Sequence, residues 1–552
     1  MRRARTGGLA VAVAASLART VLGLPPARTR RVLVESDLEV PMSDGAVLFA
    51  NRWYPVDDPR APIVLIRTPY GRGALHSVIA RMFAEAGYQV LVQSCRGTFG
   101  SGGEFVPFRD ERSDGFDTLA WLEAQPWFVD RVGLWGGSYL GITQWAIADR
   151  LPPYVRALAL SITASASGEA VVYPGGALAL HTAMPWAFMN DVASREGLLR
   201  LLLGRREQTR RVDEALRRLP LGEADETVLG RPLQYYRDWL EHDDPADPWW
   251  QQAQFRANVA GLDRPVTMSG GWFDMFLPDQ LDDFQQLADR GVPARLVVGP
   301  WGHGGREHTA ISFQQAFDLF DAELRSEPRA EGAPVRLKLV GGGDHWLEFD
   351  AWPPPGREIV WHLAPGASLT EAAPLEAGSD GFQYDPSDPT PGIGGASLHA
   401  SNTGPKNQAR RESRADVLTY TSAPLERTTT FIGPAEATIH FQSSARSADV
   451  HLTLCDVDEH GASTNVSAGI QRLRQVEPGE IIEVSVRLWP VGAVFERGHR
   501  IRVQVSCGAH PTYARNLGTG ESPLTARCGT VGRQTVYLGG QTDSHLKLRE
   551  YS

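Results

Sequence analysis

Ser138 has the surroundings of an enzymatic nucleophile. It lies in the run Gly136-Gly137-Ser138-Tyr139-Leu140-Gly141, which follows a short apolar stretch and precedes a helical pattern. A strand that turns sharply into a helix exposes its serine hydroxyl, and small neighbours are needed because larger side chains would collide with adjacent strands. The usual G-x-S-x-G spacing is altered, since Leu140 occupies the place of the second glycine. We predict that Ser138 is the nucleophile of an acyl transfer reaction.

A catalytic serine requires a base, and the base requires an orienting carboxylate. Two loops downstream of Ser138 offer these residue types, each after a predicted strand. Asp274 follows the strand Pro265–Ser269, and His303 follows the strand Arg295–Val298. Taken alone, Asp274 is also explained as a helix or turn cap, and His303 as a histidine in a surface loop. The order serine, aspartate, histidine along the chain, however, is that of α/β-hydrolases. We therefore predict Asp274 as the acid and His303 as the base.

The negative charge that forms on the substrate carbonyl oxygen needs hydrogen-bond donors, which together form an oxyanion hole. One donor is the backbone N–H of Tyr139, the residue after the nucleophile. The second has to come from the loop after an earlier strand. Tyr70 lies in such a loop and can offer its hydroxyl or its backbone N–H, or it can simply fill a turn.

Aromatic side chains near these loops are candidates for substrate binding. Trp145, Trp272 and Phe276 are the three that we predict to contact substrate. Further aromatic candidates occur in or near the segment between residues 163 and 258, namely Trp186, Phe188, Trp249 and Trp250. Core packing explains each of them individually better than substrate contact does.

Short β-branched runs alternate with helical patterns between residues 31 and 299, which is typical of an α/β sheet. The predicted strands are Val32–Val40, Val47–Tyr54, Pro62–Arg67, Gln89–Gln93, Val132–Trp135, Ala157–Ile162, Pro265–Ser269 and Arg295–Val298. The turn Ser43-Asp44-Gly45 predicts a hairpin between the first two. Later strands are apolar on consecutive positions, which indicates parallel strands buried on both faces. The sheet is therefore predicted to be mixed.

The same patterns divide the chain into five segments. The predicted segments are an N-terminal segment (1–30), an α/β core in two parts (31–162 and 259–335), an inserted helical cap (163–258) and an all-β domain (336–552). Within the cap, Arg195–Leu219 and Leu233–Glu241 are predicted to be helices. The fold class is thus α/β with a helical insertion and a C-terminal β domain.

The overall composition excludes several classes of function. The 552 residues include 42% hydrophobic and 22% charged residues, which is the balance of a folded chain. A net charge of −10 without any basic cluster makes nucleic acid an unsuitable partner. The four cysteines have no zinc-ligand spacing, so we predict no metal site and no cofactor, and we expect buried thiols with at most one disulfide among the C-terminal three.

The N-terminus carries the one ambiguous targeting feature. Basic residues precede the apolar run Leu9–Ala18, which is too short to span a bilayer and lacks a clear cleavage site. We predict an amphipathic helix on a cytoplasmic protein without membrane attachment, with a signal peptide and secretion as the alternative. We expect a homodimer only because dimers are the most frequent assemblies among soluble oligomeric proteins.

Several motifs together resemble the cocaine-esterase-like branch of the Xaa-Pro dipeptidyl-peptidase hydrolases. The resemblance covers roughly residues 38–540. Its motifs are Arg67-Thr68-Pro69-Tyr70, Cys95-Arg96-Gly97, Ser101-Gly102-Gly103-Glu104-Phe105, Gly136–Trp145, Gly271-Trp272-Phe273-Asp274, Gly299–His303, Leu488-Trp489-Pro490 and Phe495–Arg502. One departure is Ser94-Cys95, where the family commonly has aspartate followed by threonine or valine.

The resemblance implies a fold and a set of roles. It implies an α/β-hydrolase core, a helical cap and a β jelly-roll (galactose-binding-like) domain that closes one wall of the active site. Ser138, Asp274 and His303 match the family's triad, and Tyr70 matches the tyrosine that completes the oxyanion hole with the N–H of Tyr139. The departure at Ser94-Cys95 is expected to change a hydrogen bond near the site and not the chemistry.

The predicted function is a serine hydrolase that cleaves small ester or amide substrates through an acyl-enzyme. An Xaa-Pro dipeptidyl-peptidase or other acyl-peptide hydrolase is the alternative, and it would require carboxylates for the substrate amine. The cluster Asp243, Asp244 and Asp247 is one source of such carboxylates, although it equally fits a loop with a helix cap. An acyltransferase and a non-catalytic binding protein are further alternatives.

Overall fold

The computed structural model describes residues 5–166, 168–196, 205–399 and 401–551. Within these residues the strands form two sheets of eleven strands each. The first sheet contains β1 (Arg5–Thr6), β2 (Val32–Pro41), β3 (Val47–Pro55), β4 (Ile63–Thr68), β5 (Gln89–Ser94), β6 (Val132–Gly137), β7 (Val155–Ser161), β8 (Val266–Gly271), β9 (Ala294–Gly299), β10 (Val335–Lys338) and β11 (Trp346–Phe349).

The order of strands in the first sheet is β1-β2-β3-β5-β4-β6-β7-β8-β9-β10-β11. Pairing is antiparallel from β1 to the β3–β5 contact, parallel from β5 through β10, and antiparallel again at β11. All residues of β4 and β5 are buried, because helices cover both faces of the parallel part. The carboxyl ends of the parallel strands therefore meet at one edge, which is where such sheets place their functional loops.

Helices pack on this sheet and fill the segment between β7 and β8, and one short helix, α12 (Ala409–Glu412), packs on the C-terminal sheet instead. They are α1 (Leu9–Val21), α2 (Ala74–Glu85), α3 (Glu111–Glu123), α4 (Tyr139–Trp145), α5 (Leu180–Glu196), α6 (Arg205–Ala215), α7 (Ala224–Leu229), α8 (Gln234–Glu241), α9 (Arg256–Val259), α10 (Leu277–Asp289), α11 (Arg306–Arg325) and α12 (Ala409–Glu412). Among the described residues of the insertion, the α-helices are α5 to α9. The predicted helix Arg195–Leu219 is found as α6 together with the end of α5, and its residues 197–204 lie outside the described part.

The C-terminal sheet closes on itself. It contains β12 (Arg357–Ala364), β13 (Ser368–Thr370), β14 (Gly378–Tyr384), β15 (Val417–Thr421), β16 (Thr429–Ser443), β17 (Ala448–Val457), β18 (Ser463–Leu473), β19 (Ile481–Phe495), β20 (Arg500–Ser506), β21 (Gly532–Leu538) and β22 (His545–Tyr551). The order is β14-β21-β16-β19-β18-β17-β20-β15-β13-β12-β22, and β22 also pairs with β16. This last pairing closes the run β16-β19-β18-β17-β20-β15-β13-β12-β22 into a ring. The ring surrounds a separate apolar core.

The first sheet extends further along the chain than the sequence pattern indicates. At the predicted boundary, residue 335, β10 begins and pairs in parallel with β9, and β11 then adds an edge strand to the same sheet. Neither strand was predicted, since each has only four residues. The change to the β domain falls between β11 and β12, at the proline-rich run 353–355.

Three further expectations concern the N-terminal run, membrane spans and the cysteines. The N-terminal run is a helix, α1, of which Ala15 and Arg19 are buried. No helix in the described ranges is long and apolar enough to cross a membrane. All four cysteines are free, and Cys528 is exposed, so neither a disulfide nor uniform burial of the thiols is present.

Candidate active site

The turn between β6 and α4 places Ser138 above the carboxyl edge of the first sheet. Ser138 has φ 57° and ψ −130°, a conformation that is strained for a residue with a side chain. A Cβ atom on Gly136 would lie 2.3 Å from Cβ of Leu140, and one on Gly137 would lie 2.5 Å from Oγ of Ser161. Both positions therefore admit only glycine, as the sequence pattern predicts.

The displaced glycine of the motif has its own structural reason. A Cβ atom on Gly141 would lie 2.4 Å from Cγ2 of Thr163, in the loop after β7. Leu140, at the position of the usual second glycine, is buried against other apolar side chains and not against this loop. In this chain the helix approaches the loop closely at residue 141, one position after the usual second glycine of the motif, and that position is therefore the glycine.

Asp274 and His303 meet Ser138 in a hydrogen-bonded chain. Nε2 of His303 lies 3.0 Å from Oγ of Ser138, and Nδ1 of His303 lies 2.6 Å from Oδ2 of Asp274. The Asp274 carboxylate is fully buried, and its second oxygen accepts a hydrogen bond of 2.9 Å from the backbone N–H of Phe276. The carboxylate therefore holds the imidazole with Nδ1 protonated, which leaves Nε2 able to accept the serine proton.

Close contact between two loops positions the aspartate and the histidine. A Cβ atom on Gly271, at the end of β8, would lie 2.2 Å from the carbonyl oxygen of Trp301. The backbone N–H of Phe273 donates to that same carbonyl oxygen at 2.9 Å. Only glycine at this position lets the loop that carries Asp274 lie directly against the loop that carries His303.

Tyr70 lies beside the nucleophile, in the loop after β4. Its hydroxyl oxygen accepts a 2.9 Å hydrogen bond from Nε1 of Trp186, and the hydroxyl also contacts the Ser138 side chain. Because Trp186 donates, the phenolic hydrogen of Tyr70 is free to be donated elsewhere. Burial raises the pKa of Tyr70 to about 12, so the phenol stays protonated at neutral pH.

Tyr139 is anchored by its side chain beneath the site. Its hydroxyl donates to Oε1 of Glu111 at 2.9 Å and accepts from the backbone N–H of Phe108 at 2.8 Å. Glu111 in turn forms a buried ion pair with Arg67 at 2.9 Å. These contacts hold the first turn of α4, which begins at Tyr139 directly after the nucleophile.

The departure at Ser94-Cys95 affects contacts next to this network. Oγ of Ser94 accepts a hydrogen bond of 2.7 Å from Nη1 of Arg72, and Sγ of Cys95 lies 3.7 Å from Oε2 of Glu111. Burial raises the pKa of the Cys95 thiol, so the sulfur stays protonated and can donate to the carboxylate. Both residues lie outside the Ser138, His303 and Asp274 chain.

A cavity of about 330 Å³ opens above Ser138 and His303. Apolar and aromatic side chains dominate its wall, and Met189, which is 46% exposed, lies at its mouth. The lining residues are Tyr70, Phe108, Ser138, Tyr139, Ile142, Val171, Thr182, Ala183, Trp186, Met189, Trp239, Met275, Phe276, His303 and Leu398. Of the predicted substrate contacts, Phe276 lines the cavity, as does Trp186 of the additional candidates.

Trp145 and Trp272, which we predict to contact substrate, are not among the residues that line this cavity. Trp145 is completely buried in the core beneath α4, and its carbonyl oxygen accepts from the Asn258 side chain. Trp272 donates from Nε1 to the carbonyl oxygen of Lys338 at 2.8 Å, and its ring lies so close to Gly492 of β19 that a Cβ there would be 2.1 Å away. Trp272 therefore connects the two sheets.

Several cavity residues carried no signal in the sequence. Phe108 lies in a loop before α3, Trp239 on α8, Met275 next to the acid and Leu398 in the C-terminal domain. They are separated by up to 290 residues of chain, and only the fold brings them together. Of these four residues, only Met275 is adjacent in sequence to a predicted catalytic residue, Asp274.

Comparison with known proteins gives consistent matches over most of the chain. Residues 44–305 match the family profile of X-Pro dipeptidyl-peptidase (S15 family), and residues 330–547 match the X-Pro dipeptidyl-peptidase C-terminal non-catalytic domain. Cocaine esterase of Rhodococcus sp. (strain MB1 Bresler) is 32% identical, over 93% of this chain and 98% of the relative. A putative serine esterase of Mycobacterium bovis is 24% identical, over 84% and 85% of the two chains.

Two solved structures share the fold. An α-amino acid ester hydrolase superposes with a TM-score of 0.79 at 21% identity, covering 94% of this chain and 97% of the other. An aminopeptidase from a marine sediment archaeon of the Thaumarchaeota superposes with a TM-score of 0.80 at 22% identity and the same coverage. At these identities the likeness concerns the fold alone.

Fold, site and relatives together define a serine hydrolase that cleaves carboxylic ester or amide bonds. Within that class the chain belongs to the family of X-Pro dipeptidyl-peptidases and cocaine-esterase-like hydrolases.

Proposed function

We propose that Ser138, His303 and Asp274 hydrolyse carboxylic esters with bulky, uncharged acyl groups, and that Tyr70 and Tyr139 stabilise the oxyanion. One observation supports this proposal most strongly. The hydrogen-bonded serine, histidine and aspartate open directly onto a cavity whose wall is apolar and aromatic.

The first half of the reaction forms the acyl-enzyme. Oγ of Ser138 attacks the carbonyl carbon while Nε2 of His303 takes the serine proton. The carbonyl oxygen becomes an oxyanion, which accepts hydrogen bonds from the Tyr70 hydroxyl and the backbone N–H of Tyr139. The tetrahedral intermediate then expels the alkoxide, which leaves as an alcohol after His303 returns the proton. Asp274 keeps the imidazole oriented and stabilises its positive charge throughout.

The second half releases the acyl group. Water enters the space of the departed alcohol and gives a proton to Nε2 of His303 as its oxygen attacks the acyl carbon. The same donors stabilise the second oxyanion, and the acid leaves when Ser138 recovers its proton. Every proton in both halves is carried by His303, so the reaction is complete without a metal or an organic cofactor.

The charge of the cavity wall favours a neutral acyl group. Among the described lining residues there is no aspartate or glutamate to pair with a substrate ammonium group. A buried ammonium group without a partner is costly, so an amino-terminal substrate would bind poorly. The wall fits an aromatic or branched acyl group, which gains free energy by burying its apolar surface.

The acidic cluster in the insertion is engaged in other contacts. Asp243 pairs with Arg474 at 2.9 Å, and Oδ1 of Asp244 accepts from the backbone N–H of Ala246. Asp247 caps the short helix that begins at residue 248. These contacts support the interpretation as a loop with a cap and disfavour a binding site for a peptide amine.

The family profile keeps peptide hydrolysis as the alternative activity. The esterase relatives favour the ester, in agreement with the wall of the cavity. For the architecture we propose the α/β-hydrolase core for the first sheet, the helical cap for α5 to α9 and a jelly-roll for the C-terminal ring of strands.

Two matched nitrophenyl esters test the preference for an uncharged acyl group. We expect kcat/KM to be about 100-fold higher for 4-nitrophenyl phenylacetate than for 4-nitrophenyl phenylglycinate, measured where the amine is protonated. The two esters share a leaving group and a ring and differ by the α-ammonium group, so intrinsic reactivity is corrected with the rates of the buffer alone. An equal or higher value for the amino ester would contradict the proposed specificity. Faster cleavage of Ala-Pro anilides than of either ester would establish the peptidase instead.

A further inference from the structure

A second group of chemically capable side chains lies where the insertion meets the C-terminal domain. His181 at the start of α5, Asp213 on α6 and His399 in the loop between β14 and α12 each offer a ligand atom, and these atoms all lie within 4.8 Å of one another. The three residues come from three separate segments, and none of them belongs to the Ser138, His303 and Asp274 chain.

His181 is the most constrained of the three. Its side chain is 7% exposed, and its Nδ1 atom is buried without a hydrogen-bond partner among the described residues. An unsatisfied buried polar atom is destabilising, and a bound ligand would satisfy it. The backbone N–H of His181 contacts the carbonyl oxygen of Thr512 at 3.4 Å, which ties this end of α5 to the C-terminal domain.

The hydrogen bond at Nδ1 of His399 is of the kind that orients metal-binding imidazoles. This Nδ1 lies 2.8 Å from Oγ of Ser401, so a neutral ring can donate from Nδ1 and present the lone pair of Nε2. The rings of His399 and His181 are stacked, with centroids 4.3 Å apart. Metal ions bind the neutral form of imidazole, through a ring nitrogen that carries no proton.

We propose that His181, Asp213 and His399 bind one Zn²⁺ ion between the insertion and the C-terminal domain. Two imidazole nitrogens and a carboxylate oxygen are ligands that zinc accepts, and water completes four-coordinate geometry. Zinc bonds of about 2.0–2.2 Å require the three donor atoms to approach one another further. Because the two rings are stacked at 19°, one of them turns about its side-chain torsions so that both lone pairs point at the ion.

The ion would act on the shape of the active site and not on the chemistry. Thr182, next to His181, and Leu398, next to His399, both line the cavity above Ser138. Zinc would therefore join two segments of the cavity wall and stabilise the contact between the insertion and the C-terminal domain. Acyl transfer itself uses only the groups described above, so removal of the ion leaves the nucleophile and its base in place.

Calorimetric titration of the chelator-treated full chain with ZnCl₂ tests the site. We expect one ion per chain, and we expect His399→Gln and Asp213→Asn to weaken binding by at least about 100-fold. His399 and Asp213 are not fully buried, so these variants are expected to fold, and unchanged circular dichroism confirms it. Zinc should raise the melting temperature of the wild type and not that of His399→Gln.

A second histidine cluster provides the matched control. His362, Asp543 and His545 form the other such group among the described residues, and His362 already contacts Asp543 at 2.8 Å. His362→Gln should leave the Zn²⁺ affinity unchanged. The proposal is overturned if the wild type binds no zinc, if the His399 and Asp213 variants bind as tightly as the wild type, or if only His362→Gln weakens binding.

Discussion

Replacement of Ser138 by alanine is expected to lower kcat for 4-nitrophenyl phenylacetate by about 10⁴-fold or more. The reason is that the covalent step disappears entirely, because no other hydroxyl group lies at hydrogen-bond distance from Nε2 of His303 among the described residues. What remains is the weaker contribution of the oxyanion donors and of substrate binding. Steady-state kinetics with a correction for the buffer reaction measure the effect.

The Ser138→Ala result needs a control for the loss of a serine hydroxyl as such. Ser113 on α3 is exposed, and its hydroxyl donates only to a backbone carbonyl oxygen of the same turn. Ser113→Ala should retain the activity and the melting temperature of the wild type. If Ser138→Ala kept more than about a tenth of the wild-type kcat, Ser138 would not be the nucleophile.

Replacement of Tyr70 by phenylalanine is expected to lower kcat by about 10²-fold to 10³-fold with little change in KM. Trp186 donates to the Tyr70 oxygen, so the phenolic hydrogen is available to be donated to the substrate oxygen. The hydroxyl therefore contributes most when negative charge develops on the substrate oxygen, which is in the transition state and not in the bound ester. Burst and steady-state kinetics on the same ester separate kcat from binding.

Two comparisons make the Tyr70→Phe result specific. Tyr154→Phe removes a buried hydroxyl that donates to the carbonyl oxygen of Leu119; Tyr154 directly precedes the amino end of β7, at the edge of the sheet away from Ser138, so kcat should be unchanged. Trp186→Phe removes the hydrogen bond to Tyr70 and should lower kcat by less than Tyr70→Phe does. A Tyr70→Phe variant with wild-type kcat would exclude the hydroxyl from the oxyanion hole and leave the role to backbone N–H groups.

The local part of this site could be predicted from sequence because local sterics dictate it. Gly136 and Gly137 have no room for a Cβ atom, so a strand, two glycines and a serine describe the turn almost completely. The end of a parallel strand fixes where Asp274 and His303 must lie, and their order along the chain reflects the order of the strands in the sheet. The sequence therefore predicted the residues that now lie within hydrogen-bond distance of one another.

The cavity wall could not be predicted in the same way. Its members come from an early loop, the inserted helices and the C-terminal domain, and packing between distant segments decides which aromatic rings face the space. Trp145 and Trp272 are adjacent in sequence to catalytic elements, yet one lies beneath α4 and the other against β19. Trp145 ends a helix and Trp272 follows the end of a strand, and the packing of each element decides which way its side chains point, so proximity in sequence is a poor guide to a shared surface.

The sequence pattern does not indicate the last two strands of the first sheet, for a related reason. Strands β10 and β11 have four residues each, and only their pairing with β9 and with each other makes them recognisable. A short strand carries too few residues for a periodic pattern. The His181, Asp213 and His399 group likewise has no motif in the sequence, since its members are brought together only by the contact between insertion and C-terminal domain.

Covalent labelling with a fluorophosphonate tests the central claim most directly, because the probe reacts only with an activated nucleophile and leaves it tagged. Intact mass spectrometry should show one adduct per chain in the wild type, and peptide mapping should place that adduct on Ser138. The Ser138→Ala variant should remain unlabelled, whereas Ser113→Ala should label as the wild type does. An adduct on any other residue, or equal labelling of Ser138→Ala, would contradict the assignment of Ser138, His303 and Asp274 as the catalytic group.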